Sequence, residues 1–78
     1  MADVEFETIK ADEIKFGNNN FLEVARKRAK TETGENEFLS LSRGFYTIKG
    51  EKRYRKSFTV PLDSTVVDFV VEKLKESL

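Results

Sequence analysis

FLSLSRGFYTIKGEKRYRKSFTVPL, residues 38–62, reads as two strands and the turn that joins them. Over residues 37–43 Leu39 and Leu41 face one way and Phe38, Ser40 and Ser42 the other, the period-two alternation of a half-buried strand. Gly44 interrupts that alternation and is a candidate bulge or bend. The chain resumes at Phe45-Tyr46-Thr47-Ile48, turns at Lys49-Gly50-Glu51 and runs as a long strand to Val60. Pro61 stops it, because proline has no amide hydrogen for the ladder. On this strand Phe58 and Val60 point to the core with Lys52, Tyr54 and Lys56 in phase, which leaves Arg53 and Arg55 opposite.

Beyond Pro61, Asp63 or Ser64 supplies an N-cap for a helix running to about Ser77. At the helical period Val66, Val67, Val70, Val71, Leu74 and Leu78 fill an arc of about 140°. Phe69 lies off that arc, between Lys73 and Glu76. The β-branched run lowers helix propensity, so tertiary contacts must hold the helix. A sheet on one side and a partner subunit on the other would account for the wide stripe and the outlying Phe69. Packing of Phe69 under the N-terminal segment is the alternative.

Upstream, Thr31 to Asn36 reads as a hairpin loop, and residues 21–28 as a strand with Leu22 and Val24 inward and Phe21, Glu23, Ala25 and Lys27 outward. Gly17-Asn18-Asn19-Asn20 is a turn. Residues 3–8 alternate weakly, with Val4, Phe6 and Thr8 against Asp3, Glu5 and Glu7. The chain is thus one domain, with a loosely ordered arm at 1–13, an antiparallel sheet at 14–62 and a helix at 63–78. A domain of 78 residues buries roughly 60 % of its unfolded surface, so help from a partner chain is expected.

Formal net charge is zero, but it is unevenly spread. Residues 17–60 hold ten bases against five acids, and the flanking segments are both acidic. The clusters Arg26-Lys27-Arg28-Ala29-Lys30 and Lys52-Arg53-Tyr54-Arg55-Lys56 make a basic stripe suited to a polyanion. Neither cysteine nor histidine is present, which removes disulfides, thiolate metal sites, the common general base and the thiolate nucleophile. No glycine-rich phosphate loop occurs. We therefore expect no enzyme, no cofactor, no metal and no small-molecule substrate. No membrane-spanning run or signal peptide is evident, so a soluble, cytoplasmic protein is expected, nucleoid-associated if prokaryotic.

Phases assigned this way leave a non-core sheet face with small residues, Phe21 and Phe38, and several bases. Such a face suits single-stranded nucleic acid, because rings stack on bases while Lys and Arg follow the phosphates. Phe45-Tyr46 falls in the same basic region.

Residues 38–62 also resemble the single-strand-binding domain of the transcriptional positive cofactor 4 family, in a microbial version. The matching features are Leu39 to Leu41, Arg43, Phe45-Tyr46, Gly50-Glu51, Arg53 to Lys56, Phe58 to Val60 and the helix at 64–77. Phe16-Gly17 and Phe21-Leu22-Glu23-Val24 extend the likeness upstream, to about residues 14–78. The resemblance implies an α+β fold, a curved four-stranded antiparallel sheet followed by a C-terminal helix, which dimerises through the helix and adjacent strand. Paired grooves would then take single-stranded or locally melted DNA. By position, Phe45 or Tyr46 would stack on bases, and Arg26, Arg28, Arg43, Arg55 and Lys56 would meet phosphates.

Three departures stand out: Lys27 or Arg28 replaces a family aromatic, Ser42 adds a residue before Arg43, and the hairpin from Lys30 to Asn36 is longer. With the remaining members of the basic clusters, the candidate nucleic-acid-binding set is Arg26, Lys27, Arg28, Arg43, Phe45, Tyr46, Lys52, Arg53, Arg55 and Lys56. The candidate dimer interface is Val67, Phe69, Val70, Val71 and Leu74. The expected function is single-stranded-DNA binding in transcription, replication or repair. A single-stranded-RNA module and a protein-interaction adaptor are the alternatives.

Overall fold

The computed structural model describes residues 4–78, so Asp3 of the weak N-terminal alternation lies outside the described residues. Four strands follow in order, β1 (Glu5–Phe16), β2 (Asn20–Thr31), β3 (Gly34–Tyr46) and β4 (Lys52–Val60), then one helix, α1 (Ser64–Glu76). They form a single antiparallel sheet in the order β1-β2-β3-β4, each strand beside its neighbour in sequence. Short connections suffice for such a meander. The fold is α+β: an antiparallel sheet with a C-terminal helix.

The sheet starts earlier than the sequence suggested. Residues 5–16, taken above mainly as a loose arm, pair with β2 from Glu5↔Lys30 to Phe16↔Asn20, with Ile9 bulged out between Thr8 and Lys10. That bulge shifts the alternation by one residue and hides the strand pattern. Ion pairs hold the segment in place, with Glu7 reaching Lys30 at 3.2 Å and Glu13 reaching Lys52 at 2.7 Å. The hairpin between β2 and β3 is also tighter than the expected loop, since Thr31 pairs directly with Gly34.

A second bulge decides which way β4 faces. Arg43 pairs with Lys56 but Gly44 pairs with Tyr54, so Arg55 is the extra residue. Gly44 is needed because a Cβ there would overlap the Arg53 carbonyl oxygen and come within 2.8 Å of the Phe21 ring. Across the bulge the facing inverts. Lys56, Phe58 and Val60 lie on the side of Leu39 and Leu41, whereas Lys52 and Tyr54 lie on the side of Phe21, Ser40 and Ser42. Uninterrupted alternation had placed Lys52, Tyr54 and Lys56 together and Arg53 and Arg55 opposite. The structure corrects both assignments.

Helix α1 lies over the side that carries Leu22, Val24, Leu39 and Leu41. Asp63 caps it by accepting from the Thr65 amide at 2.8 Å. The helix has no buried residue, and an apolar cleft of about 290 Å³ separates Val67, Val70, Val71 and Leu74 from the sheet. Phe69 is 59 % exposed, with the Lys73 ammonium 6.0 Å from its ring centre, so it does not pack under β1. Among the described residues the opposite, open side has no layer over it, yet Phe21, Ala25, Ser40 and Ser42 are buried there. These residues were expected to be the presented face. They are sunk among taller neighbours instead, and the Ser42 and Ser57 hydroxyls bond at 2.8 Å.

The two edges of the sheet differ in charge. β1 carries Glu5, Glu7, Asp12 and Glu13 against Lys10 and Lys15, while β4 carries Lys52, Arg53, Arg55 and Lys56 and no acid.

Candidate nucleic-acid interface

The cations of the basic middle separate into three environments. At the hairpin end of β2 and β3, on the helix side, Arg26 donates through Nε to Glu37 Oε1 at 2.8 Å. Arg28 lies within 3.6–3.8 Å of Glu7, Glu35 and Glu37. The register explains the cluster, because Arg28 sits directly between Glu7 on β1 and Glu37 on β3. Phosphate would have to displace carboxylates here.

The second environment is on the open side. Phe21 is fully buried under Tyr46, at 5.5 Å between ring centres, and Tyr54, edge-on at 5.3 Å. The Lys52 ammonium stands 4.6 Å above the same ring and donates to Glu13 Oε1 at 2.7 Å and Glu23 Oε2 at 2.8 Å. Tyr46 Oη donates to Glu13 Oε2, and Lys15 stands 4.7 Å from the Tyr46 ring. The hydrogen bond from Lys52, then that from Tyr46, holds the Glu13 carboxyl below its usual range. Tyr46 is raised in turn by its bond to Glu13, and Lys52 is raised by its bonds to Glu13 and then Glu23. One residue from each strand is thus tied into a network of two carboxylates, one ammonium and one phenol: Glu13, Glu23, Lys52 and Tyr46. Lys27 shares this side, paired across β2 and β3 with Phe38, and makes no ion pair among the described residues.

The third environment remains open to an anion. On the helix side, at the hairpin end of β3 and β4, Arg43, Arg55 and Lys56 line one depression of about 330 Å³. All three are exposed, and among the described residues none forms an ion pair. The bulge turns Arg55 back over Phe45, with its guanidinium carbon 5.1 Å from the ring centre. Phe45 pairs with Arg53 across the strands, and Arg53 is held by Glu51 at 2.6 Å. A half-buried ring flanked by guanidinium groups presents what an unpaired nucleotide needs: a face for the base and cations for the phosphates.

The structure therefore brings Arg43, Phe45, Arg53, Arg55 and Lys56 together. It places Arg26 and Arg28 among acids, Tyr46 and Lys52 in the open-side network, and Lys27 beside Phe38. The adjacent aromatics face opposite sides of β3, and only Phe45 adjoins the free cations. Sequence reasoning missed Glu13 and Glu23 as the residues that occupy Lys52 and Tyr46. Their one sequence signal was an acid at matching positions of two paired strands, visible only once the Ile14↔Leu22 register is known.

Comparison with family models, with curated proteins and with solved structures returned no match.

Proposed function

We propose that this chain is a single-stranded-DNA-binding protein of the transcriptional positive cofactor 4 type that works as a homodimer without catalysis. The observation that carries the reading is the patch of Arg43, Arg55 and Lys56 around Phe45, a cluster of cations with no described acid among its partners. Phosphates enter the depression, and a base stacks on Phe45 beside or in place of the Arg55 guanidinium. Stacking of that kind contributes about 1–3 kcal/mol per base. Tyr46 is the poorer platform, since its hydroxyl and ring are both engaged on the other side.

Support for the homodimer comes from what α1 leaves uncovered. Phe58, Phe69, Val71 and Leu74 are all substantially exposed, and the cleft beneath the helix is lined wholly by apolar side chains apart from Ser40. Such a contiguous apolar surface marks an interaction site. A second copy docked through α1 and β4 would cover it and set two cationic patches beside one dimer seam. The acid-rich β1 edges would then lie away from the strand.

Fluorescence anisotropy with labelled single-stranded DNA, single-stranded RNA and duplex, at two salt concentrations, tests the reading. Tight, salt-sensitive binding of single strands in preference to duplex is expected, with Phe45→Ala weakening it also at high salt, where screening removes the charge contribution. Stronger binding to RNA would shift the substrate class, and no binding at low salt would end the proposal. Sedimentation of the free protein should give a dimer.

A further inference from the structure

The tip of the β3–β4 hairpin carries a feature that single-strand binding does not use. Ile48 is 102 % exposed. Lone apolar residues on a surface are ordinary, but this one is held in a set position. The Thr47 amide donates to the Glu51 carbonyl at 2.9 Å, the Gly50 amide to the Thr47 carbonyl at 2.9 Å, and the Glu51 amide to Thr47 Oγ1 at 3.1 Å. Gly50 closes the loop at φ 85°, a conformation unfavourable for a side-chain-bearing residue. The backbone thus fixes Ile48 at the tip.

Its surroundings match one kind of surface. Lys49 follows it and is exposed, and the one acid of the loop, Glu51, is neutralised by Arg53 at 2.6 Å. Ile48, Lys49 and Arg53 line the same open cleft as Phe45, about 650 Å³ in volume. An apolar wedge among cations is how proteins unstack a base step, while a neighbouring aromatic face receives a base that has lost its partner.

From this placement we infer that the hairpin tip is a junction wedge: Ile48 inserts at the last base pair where a duplex meets a single strand. The displaced base passes to Phe45, and Lys49, which makes no ion pair among the described residues, holds the phosphate beside it. The ligand class is a single-strand/duplex junction in DNA. This inference rests on the single-strand reading above and adds an active role in opening the adjoining pair. No covalent step is involved.

The test uses the full chain and a forked duplex with a fluorescent adenine analogue in the junction base pair, beside the same analogue in a single strand. The wild-type protein should raise junction fluorescence severalfold. Ile48→Ser should lose most of that rise while binding the plain single strand within about twofold of wild type, and Ile48→Val should keep it. Circular dichroism confirms that each variant is folded. Retention of the full junction signal by Ile48→Ser would overturn the wedge, as would a wild-type protein that binds single strands without opening the fork. Absence of binding to any single strand would instead remove the reading on which the wedge rests.

Discussion

Removal of the free cations should change the salt dependence of binding in a way that removal of the acid-paired arginines does not. Each phosphate neutralised on a single strand contributes about −0.7 to the slope of log K against log salt. Arg43, Arg55 and Lys56 share one depression and have no described acid to give up. If each meets one phosphate, their replacement by alanine lowers the slope by about 2 per chain, so a fourfold rise in salt weakens the wild-type complex by about 20-fold more than the variant. Arg26→Ala with Arg28→Ala should leave the slope within about 0.3 of wild type, because those cations exchange carboxylate for phosphate with little counterion released. Anisotropy titrations over a salt series, with dichroism to confirm folding, supply both slopes. Equal losses from the two variants would refute the argument, for they would mean that phosphates displace Glu7, Glu35 and Glu37 as readily as water.

Three further outcomes follow from the packing. Gly44→Ala should destabilise by about 3 kcal/mol, because the added methyl meets the Arg53 carbonyl and Phe21 across the bulge; an unchanged urea midpoint would dismiss that close approach. Asp63→Ala should lower stability by about 1 kcal/mol through loss of the bond to the Thr65 amide, whereas Asp63→Asn should keep most of it. Glu13 has a folded pKa lowered from 4.5, so its stabilisation is complete above that value and disappears as pH falls through the lowered pKa. Thermal unfolding followed downward from pH 5 should therefore show a steeper loss for wild type than for Glu13→Gln; parallel curves would show that the Lys52 bond contributes nothing.

Regular alternation made much of this fold legible. Leu39, Leu41 and their serine neighbours gave the centre of β3, Pro61 and Asp63 bounded the helix, and Gly44 marked the irregularity. Facing was not legible, because one bulged residue reverses every side chain beyond it, and the sequence does not say which strand carries the extra residue. The excess is in β4 at Arg55, opposite the glycine that signalled it. The same applies to Ile9 in β1, where two half-strands out of phase look like no strand. For the candidate site, residue type indicated basic and aromatic character but not availability. Tyr46 and Lys52 are claimed by Glu13, a residue 33 positions from one and 39 from the other. Only the register of β1 against β2 brings it there.

The contrast between the edges of the sheet has a kinetic consequence. A molecule with zero net charge has no long-range attraction as a monopole, but an acidic β1 edge set across two strands from a basic β4 edge forms a lateral dipole. In a dimer joined through β4 the two lateral dipoles oppose each other, and what remains is a basic seam flanked by two acidic edges, which favours approach of a polyanion along the seam. Orientation during the encounter raises productive collisions, while the acidic edge weakens adsorption in the reverse pose. A protein of zero net charge built this way meets a polyanion through its basic side, whereas a uniformly basic chain of the same size is drawn in whichever way it faces.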